Sequence, residues 1–189
     1  MKGSNIISLA TFKQLIDVKD TSNDDYLKSI LDTAFAFANI YTGRNLSYWQ
    51  GIQTIYIDEP EPPIYQSSTG GIYVKLAHYP VDESQPFNIY LDDIQTNDII
   101  DHLNGNRLFI LELPSEKLEI EYTGGYNSDN IPDDLLYAIM QIGAIMWNEK
   151  KGTIGLKALR IGAEEIQVLE DEIPARAKIV LNTYREVGI

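Results

Sequence analysis

Apolar residues recur along this chain at two different periods, and the change from one to the other divides it. Leu27, Ile30, Leu31, Ala34, Ala38 and Tyr41 follow the i, i+3, i+4, i+7 spacing that lines one face of an α-helix. Thr21, Ser22 and Asn23 offer N-caps, Asp24 and Asp25 put acid in the first turn, and Gly43 ends the pattern as a C-terminal glycine. A shorter helix is predicted before it from Leu9, Phe12, Leu15 and Ile16, capped by Ser8. Residues 1 to 8 read as a loosely ordered polar lead.

From Leu46 to about Thr123 the helical period is lost. Ile52–Asp58, Ile72–Leu76, Phe87–Asp92, Arg107–Leu111 and Lys117–Tyr122 are short runs rich in Ile, Val, Tyr and Phe, separated by Pro, Gly, Asn and Ser clusters. Asn104-Gly105-Asn106 is a hairpin turn joining Ile99-Ile100-Asp101 to Arg107-Leu108-Phe109. Six of the eight prolines lie between residues 60 and 114, which suits edge strands and loops.

The helical period returns after Tyr122-Thr123-Gly124-Gly125-Tyr126. Gly124 and Gly125 end the last strand, Pro132 suits a first helical turn, and Asp133 and Asp134 place negative charge at that helix's N-terminus. Leu135, Ile139, Ile142 and Met146 share one face, with Leu136, Met140, Gly143 and Trp147 beside it. Lys150-Lys151-Gly152 stops the pattern. A further proline-led helix begins at Ile173-Pro174 and carries Ala177, Val180, Leu181 and Tyr184. Residues 153–172 are compatible with a strand around Ile166 and Val168 or with an arm ordered only against a neighbour.

The expected class is α+β. A small bundle of three to four helices carries an inserted antiparallel β subdomain of five to six strands. Residues 1–45 form an N-terminal helical part, 46–126 the insert, and 127–189 a C-terminal helical part completing the bundle.

Composition changes the picture mainly by exclusion. The 189 residues suffice for one domain, or for one body with an insert, and 44% hydrophobic content argues against disorder. No run is long and apolar enough to span a bilayer, no signal-peptide pattern follows Met1, and cysteine is absent. With 15 basic against 28 acidic residues the formal charge is −13, so the chain is poorly equipped to neutralise phosphates and bind DNA tightly.

Candidate chemistry is sparse. His78 and His102 are the only histidines, no Ser/His/Asp set has a recognisable spacing, and Gly152-Thr153-Ile154-Gly155 lacks the Gly-Lys-Ser/Thr of a phosphate loop. The acid clusters at Asp58, Glu59 and Glu61, at Asp92-Asp93, and at Asp129, Asp133 and Asp134 lack the alternating spacing of a calcium loop. They read as solvated faces and helix N-terminal charge. No catalytic, cofactor or metal residue is therefore assigned. Tyr and Trp are over-represented at interfaces, although tyrosine also suits strands. Tyr48, Trp49, Trp147, Tyr184 and Arg185 are the candidate assembly-interface residues, with Trp147 the one most compatible with a core.

Taken in order, Tyr41-Thr42-Gly43-Arg44, a β insert containing Ala77-His78-Tyr79-Pro80-Val81, Tyr122-Thr123-Gly124-Gly125-Tyr126, and Ile131-Pro132-Asp133-Asp134-Leu135 resemble the head–tail connector proteins (adaptors, head-completion proteins) of long-tailed bacteriophages or prophages. Ile173-Pro174 to Tyr184-Arg185 is similar to that family's closing helix. Each motif is short and common, and their joint order over roughly residues 8–150 carries the resemblance.

The resemblance implies a non-enzymatic virion protein without cofactors, located at the neck of the capsid vertex and assembled in the bacterial host cytoplasm. It implies a homo-oligomeric ring of about a dozen copies, closed by head-to-tail contacts between two different patches. Such a ring sits beneath the portal protein, continues the DNA channel without binding DNA specifically, and offers a docking surface to the next connector or tail protein. An acidic chain without catalytic groups suits that role. The alternative is a small acidic protein- or ligand-binding module outside any virion, and a third reading is a metal-dependent hydrolase using the acid clusters.

Overall fold

The computed structural model describes residues 3–67, 70–112, 114–151 and 173–185. The residue contacts divide the chain into two compact units, residues 1–44 with 127–189, and residues 45–126.

The first unit is helical. Helix α1 spans Leu9–Leu15, α2 Asp24–Thr42, α3 Asp133–Lys151 and α4 Ala175–Thr183. The Ser8 side chain accepts from the Thr11 N–H at the start of α1. Gly43 ends α2 at φ 67°, a left-handed cap that other residues adopt at a cost. The apolar stripe of α2 is buried from Leu27 to Ala38, and that of α3 from Leu135 to Trp147. Gly143 permits the close approach of α1 to α3, since a Cβ there would lie 3.1 Å from the Phe12 ring and 3.3 Å from Ile30.

The expected loose lead is instead held. Residues Gly3–Asn5 form a 3-10 turn, the Ser4 N–H donates to Asp32 Oδ1 at 2.7 Å, and Ile6 and Ile7 are buried. Two adjacent isoleucines are too short a signal for periodicity to register. The last helix ends at Thr183, one residue before Tyr184, which caps it. Residues 153–172, where a strand or arm is expected, lie outside the described residues.

Among the described residues, the second unit contains two four-stranded antiparallel sheets. Strands β1 (Trp49–Tyr56), β8 (Lys117–Gly124), β4 (Asn88–Leu91) and β5 (Ile94–Gln95) lie in that order in one. Strands β2 (Ile64–Gln66), β3 (Ile72–Lys75), β7 (Arg107–Ile110) and β6 (Ile100–Asn104) lie in that order in the other. Alternate residues of both sheets, among them Ile55, Ile120, Tyr122, Ile72, Val74 and Leu108, enclose one core. The expected turn at Asn104-Gly105-Asn106 joins β6 to β7, with Gly105 at φ 63°.

The α+β class with an antiparallel β part is borne out, but among the described residues the strands number eight rather than five or six. The additional ones, β2 and β5, are three and two residues long, too short for an alternating pattern.

Candidate assembly surfaces

Three motifs far apart in sequence meet at one end of the helical unit. Buried Thr42 donates its hydroxyl to the Ala38 carbonyl at 2.7 Å, closing the last turn of α2. Gly43 then turns the chain so that Arg44, only 8% exposed, donates from Nη1 to the Tyr184 carbonyl at 3.0 Å. That carbonyl belongs to the C-cap of α4, where helix carbonyls lack internal partners and a cation is favoured. The Tyr184 hydroxyl donates to Asp134 Oδ1 at 2.7 Å, in the first turn of α3. Tyr41 donates to Asn182 Oδ1 at 3.1 Å, and the Arg185 guanidinium lies 5.9 Å from the Tyr41 ring centre. Thr-Gly-Arg, Pro-Asp-Asp and Tyr-Arg therefore form one latch joining α2, α3 and α4.

The Tyr-Thr-Gly-Gly-Tyr motif does comparable work in the β unit. Tyr122 is buried, donates from its hydroxyl to Gln53 Oε1 at 2.9 Å, and accepts from the His78 N–H at 3.0 Å. Gln53 also accepts from the Ala77 N–H and donates to the Lys75 carbonyl, so one amide and one phenol satisfy the exit of β3. Burial pushes the Tyr122 phenol above its ordinary value.

Trp49 stacks on His78 with ring centres 4.7 Å apart and 11° between planes, and meets Tyr122 edge-on at 5.0 Å. The His78 Nδ1 lies 3.3 Å from the Ser47 carbonyl and Nε2 3.2 Å from Asn45 Nδ2. A neutral ring protonated at Nδ1 fits both contacts, and burial lowers the His78 pKa below 6.5.

A Cβ on Gly124 would overlap the His78 carbonyl, and one on Gly125 would overlap the Ser47 carbonyl. Gly125 alone of the pair has positive φ, at 83°. Gly124 is required for close backbone approach and Gly125 for both approach and conformation.

The five candidate interface residues are thus dispersed. Tyr48 is half-buried, with its N–H bonded to the Tyr126 carbonyl at 2.7 Å, and Trp49 is half-buried in the stack described above. Trp147 is 5% exposed and lies beside Tyr26 at 6.2 Å between ring centres. Tyr184 is a half-buried member of the latch, and Arg185 is exposed.

Apolar side chains left open lie elsewhere, with Ile40 on α2 49% exposed, Ile179 on α4 66%, and Ile52 and Tyr56 on β1 52% and 48%. The sequence signal for the β1 pair was an irregular alternation in which Ile52, Ile55 and Tyr56 do not share one face.

Among the described residues, no group of three His, Asp or Glu side chains could hold a metal ion. The Asp92-Asp93 pair has a structural role. Both residues have positive φ, making the two-residue turn between β4 and β5. The Asp92 carboxylate accepts from the Ser115 hydroxyl and from the N–H groups of Ser115, Glu116 and Lys117, which holds its pKa well below the carboxylate range. No helix among the described residues is long and apolar enough to cross a membrane.

The described residues thus form a helical unit interrupted in sequence by an antiparallel β unit, and the motifs singled out in the sequence join elements within each unit. Residues 6–77 match the model of the phage gp6-like head-tail connector proteins, and the family resemblance seen in the sequence is borne out. The reading of the chain as structural rather than enzymatic follows from that family.

The fold is shared along the whole chain with solved structures. A chain in the neck of an empty gene transfer agent (GTA) particle, computed with C6 symmetry, aligns with a TM-score of 0.62 at 14% identity, covering 100% of this chain and 94% of that one. A chain in the virion of a native gene transfer agent particle gives 0.63 at 15%, with the same coverage. One in the neck of the native particle, computed with C12 symmetry, gives 0.55 at 16%, covering 99% and 92%. No curated protein matches the chain significantly in sequence.

Proposed function

We propose that this protein is a structural component of a virion neck, a head–tail connector that assembles as a ring beneath the portal. It extends the DNA channel and offers its free face to the next connector or tail protein. The observation that carries this reading is the match of residues 6–77 to the head-tail connector family, together with a fold shared from end to end with chains of particle necks. Those necks were computed with C6 and C12 symmetry, which supports a ring of about a dozen copies closed by head-to-tail contacts.

The net charge of −13 suits a channel wall past which DNA moves without sticking. Exposed Ile40 and Ile179, with Arg185 and the half-buried Tyr184 of the latch, supply apolar and cationic surface for a neighbouring subunit. Tyr48 and Trp49 would act in assembly by holding the β unit in shape, and Trp147 by holding the helical unit.

Negative-stain microscopy of the purified chain, alone and mixed with the cognate portal, tests the reading. Rings or portal-bound density are expected. A chain that stays monomeric and binds neither portal nor tail components would overturn it and leave an acidic binding module outside the virion.

A further inference from the structure

Helix α4 buries Ala177 and Leu181 on one side and leaves Arg176, Ile179, Asn182 and Thr183 exposed on the other. At 3.6 residues per turn Ile179 sits opposite the buried pair, with Arg176 one turn before it. An isoleucine open to water amid polar and cationic neighbours has the make-up of a covered surface, an apolar centre with a polar rim. Lys178 borders this face, and Arg185 follows the helix. The side chains of Arg176 and Lys178 have no hydrogen bond or ion pair among the described residues.

Residues 173–185 contain these three cations and no acid, but Glu170, Asp171 and Glu172 precede them in sequence and Glu186 follows. Three cations against four acids leave little net charge to attract a partner from a distance. What α4 offers is recognition at contact, two unpaired cations beside an uncovered apolar side chain.

Three occupants compete for such a face. Duplex DNA would bring phosphates to Arg176 and Lys178 but nothing apolar to Ile179. A second α4 would set like charges against each other. The chain itself carries the complement in the connection from β1 to β2, where Asp58, Glu59 and Glu61 are exposed and follow exposed Tyr56. None of these three carboxylates has a hydrogen bond or ion pair among the described residues. Other close-set acids are engaged, Asp92 by residues 115–117, Asp93 by Lys117 and Asp134 by the Tyr184 hydroxyl.

Resting on the ring reading above, we infer that the outer face of α4 in one copy docks on the β1–β2 connection of the next. Arg176 and Lys178 pair with Asp58, Glu59 and Glu61, and Ile179 is covered by Tyr56. Closing a ring head-to-tail takes two different surfaces on each copy, and these two differ. A nine-residue helix is about 13 Å long and covers less than the roughly 800 Å² per partner of a standard interface, so this is one part of the contact between copies.

Exchanging the charges in full-length chains tests the pairing. One variant carries Arg176→Glu and Lys178→Glu, and another carries Asp58→Lys, Glu59→Lys and Glu61→Lys. None of the five side chains is buried, so both variants are expected to keep the wild-type circular dichroism spectrum. Each alone is expected to lose rings and portal-bound density in negative-stain images, because all its copies then meet like charge with like. A 1:1 mixture sets reversed helices against reversed connections and is expected to restore assembly. A single chain with all five changes should do the same.

Full assembly by either variant alone would overturn the inference, as would loss in both that neither the mixture nor the five-fold variant restores. If the Arg176→Glu, Lys178→Glu chain assembles but no longer retards duplex DNA in a gel as wild type does, the face belongs to DNA and the inference falls. Should that chain fail to fold, Arg176→Gln with Lys178→Gln takes its place, and unimpaired assembly by this neutral variant is equally fatal. Wild-type rings or portal binding alongside any of these failures sink this contact alone. A wild-type chain that forms no rings and binds no portal sinks the neck assignment as well.

Discussion

At the scale of single residues, the stack of Trp49 on His78 makes a pH-sensitive prediction. Burial lowers the native pKa of His78 below 6.5, so the unfolded chain takes up a proton more readily than the native one. Stability from this group is complete above 6.5 and declines as pH falls from there through the lowered native value. The urea midpoint is expected to drop between about pH 7.5 and about pH 5, and His78→Gln should weaken that dependence. Tryptophan fluorescence during the titration reads the same event, because protonation puts a charge on the ring stacked against Trp49. An equal pH dependence in wild type and variant would refute this assignment.

At the scale of elements, α4 has only nine residues and buries Ala177 and Leu181, too little for independent helix stability. Its position depends on the latch. Arg44→Met is expected to cost about 1–3 kcal/mol by leaving a helix-terminal carbonyl without its charged donor, while Tyr184→Phe, which spares that carbonyl, costs about 0.5–1.5 kcal/mol. Urea denaturation of both variants checks the order, and losses that are equal or reversed would show that the guanidinium is not the main tie holding the helix.

The same latch shows what sequence reading can and cannot reach. The stripes of α2 and α3 were legible because several turns repeat one spacing. Gly43 and Ser8 were legible because caps have few chemical solutions. That Arg44, Asp134 and Tyr184 act together was not legible, since 140 residues separate the first from the last and no periodicity links them. For the same reason Ile6-Ile7, β2 and β5 escaped notice, and Trp49 and Tyr184 were singled out without the intrachain partners they have. That β1 lies at the end of its sheet's strand order was invisible because such a position belongs to the sheet and not to the strand.

At the scale of the whole molecule, the fold persists while its sequence does not, with 14–16% identity to chains that align along nearly all their length. The family match stops at residue 77. Beyond it, Gly125 combines a φ of 83° with a neighbouring carbonyl that leaves no volume for a side chain. Apolar core positions accept substitutes of similar size, but this position accepts none. It should therefore serve as a fixed landmark against which drift elsewhere can be measured. When the neck chains are superposed on this one, the residue at that place is expected to be glycine. A different residue there would mean that the strand-to-helix crossing had been rebuilt by another route, and that the second halves of these chains share their shape through separate solutions.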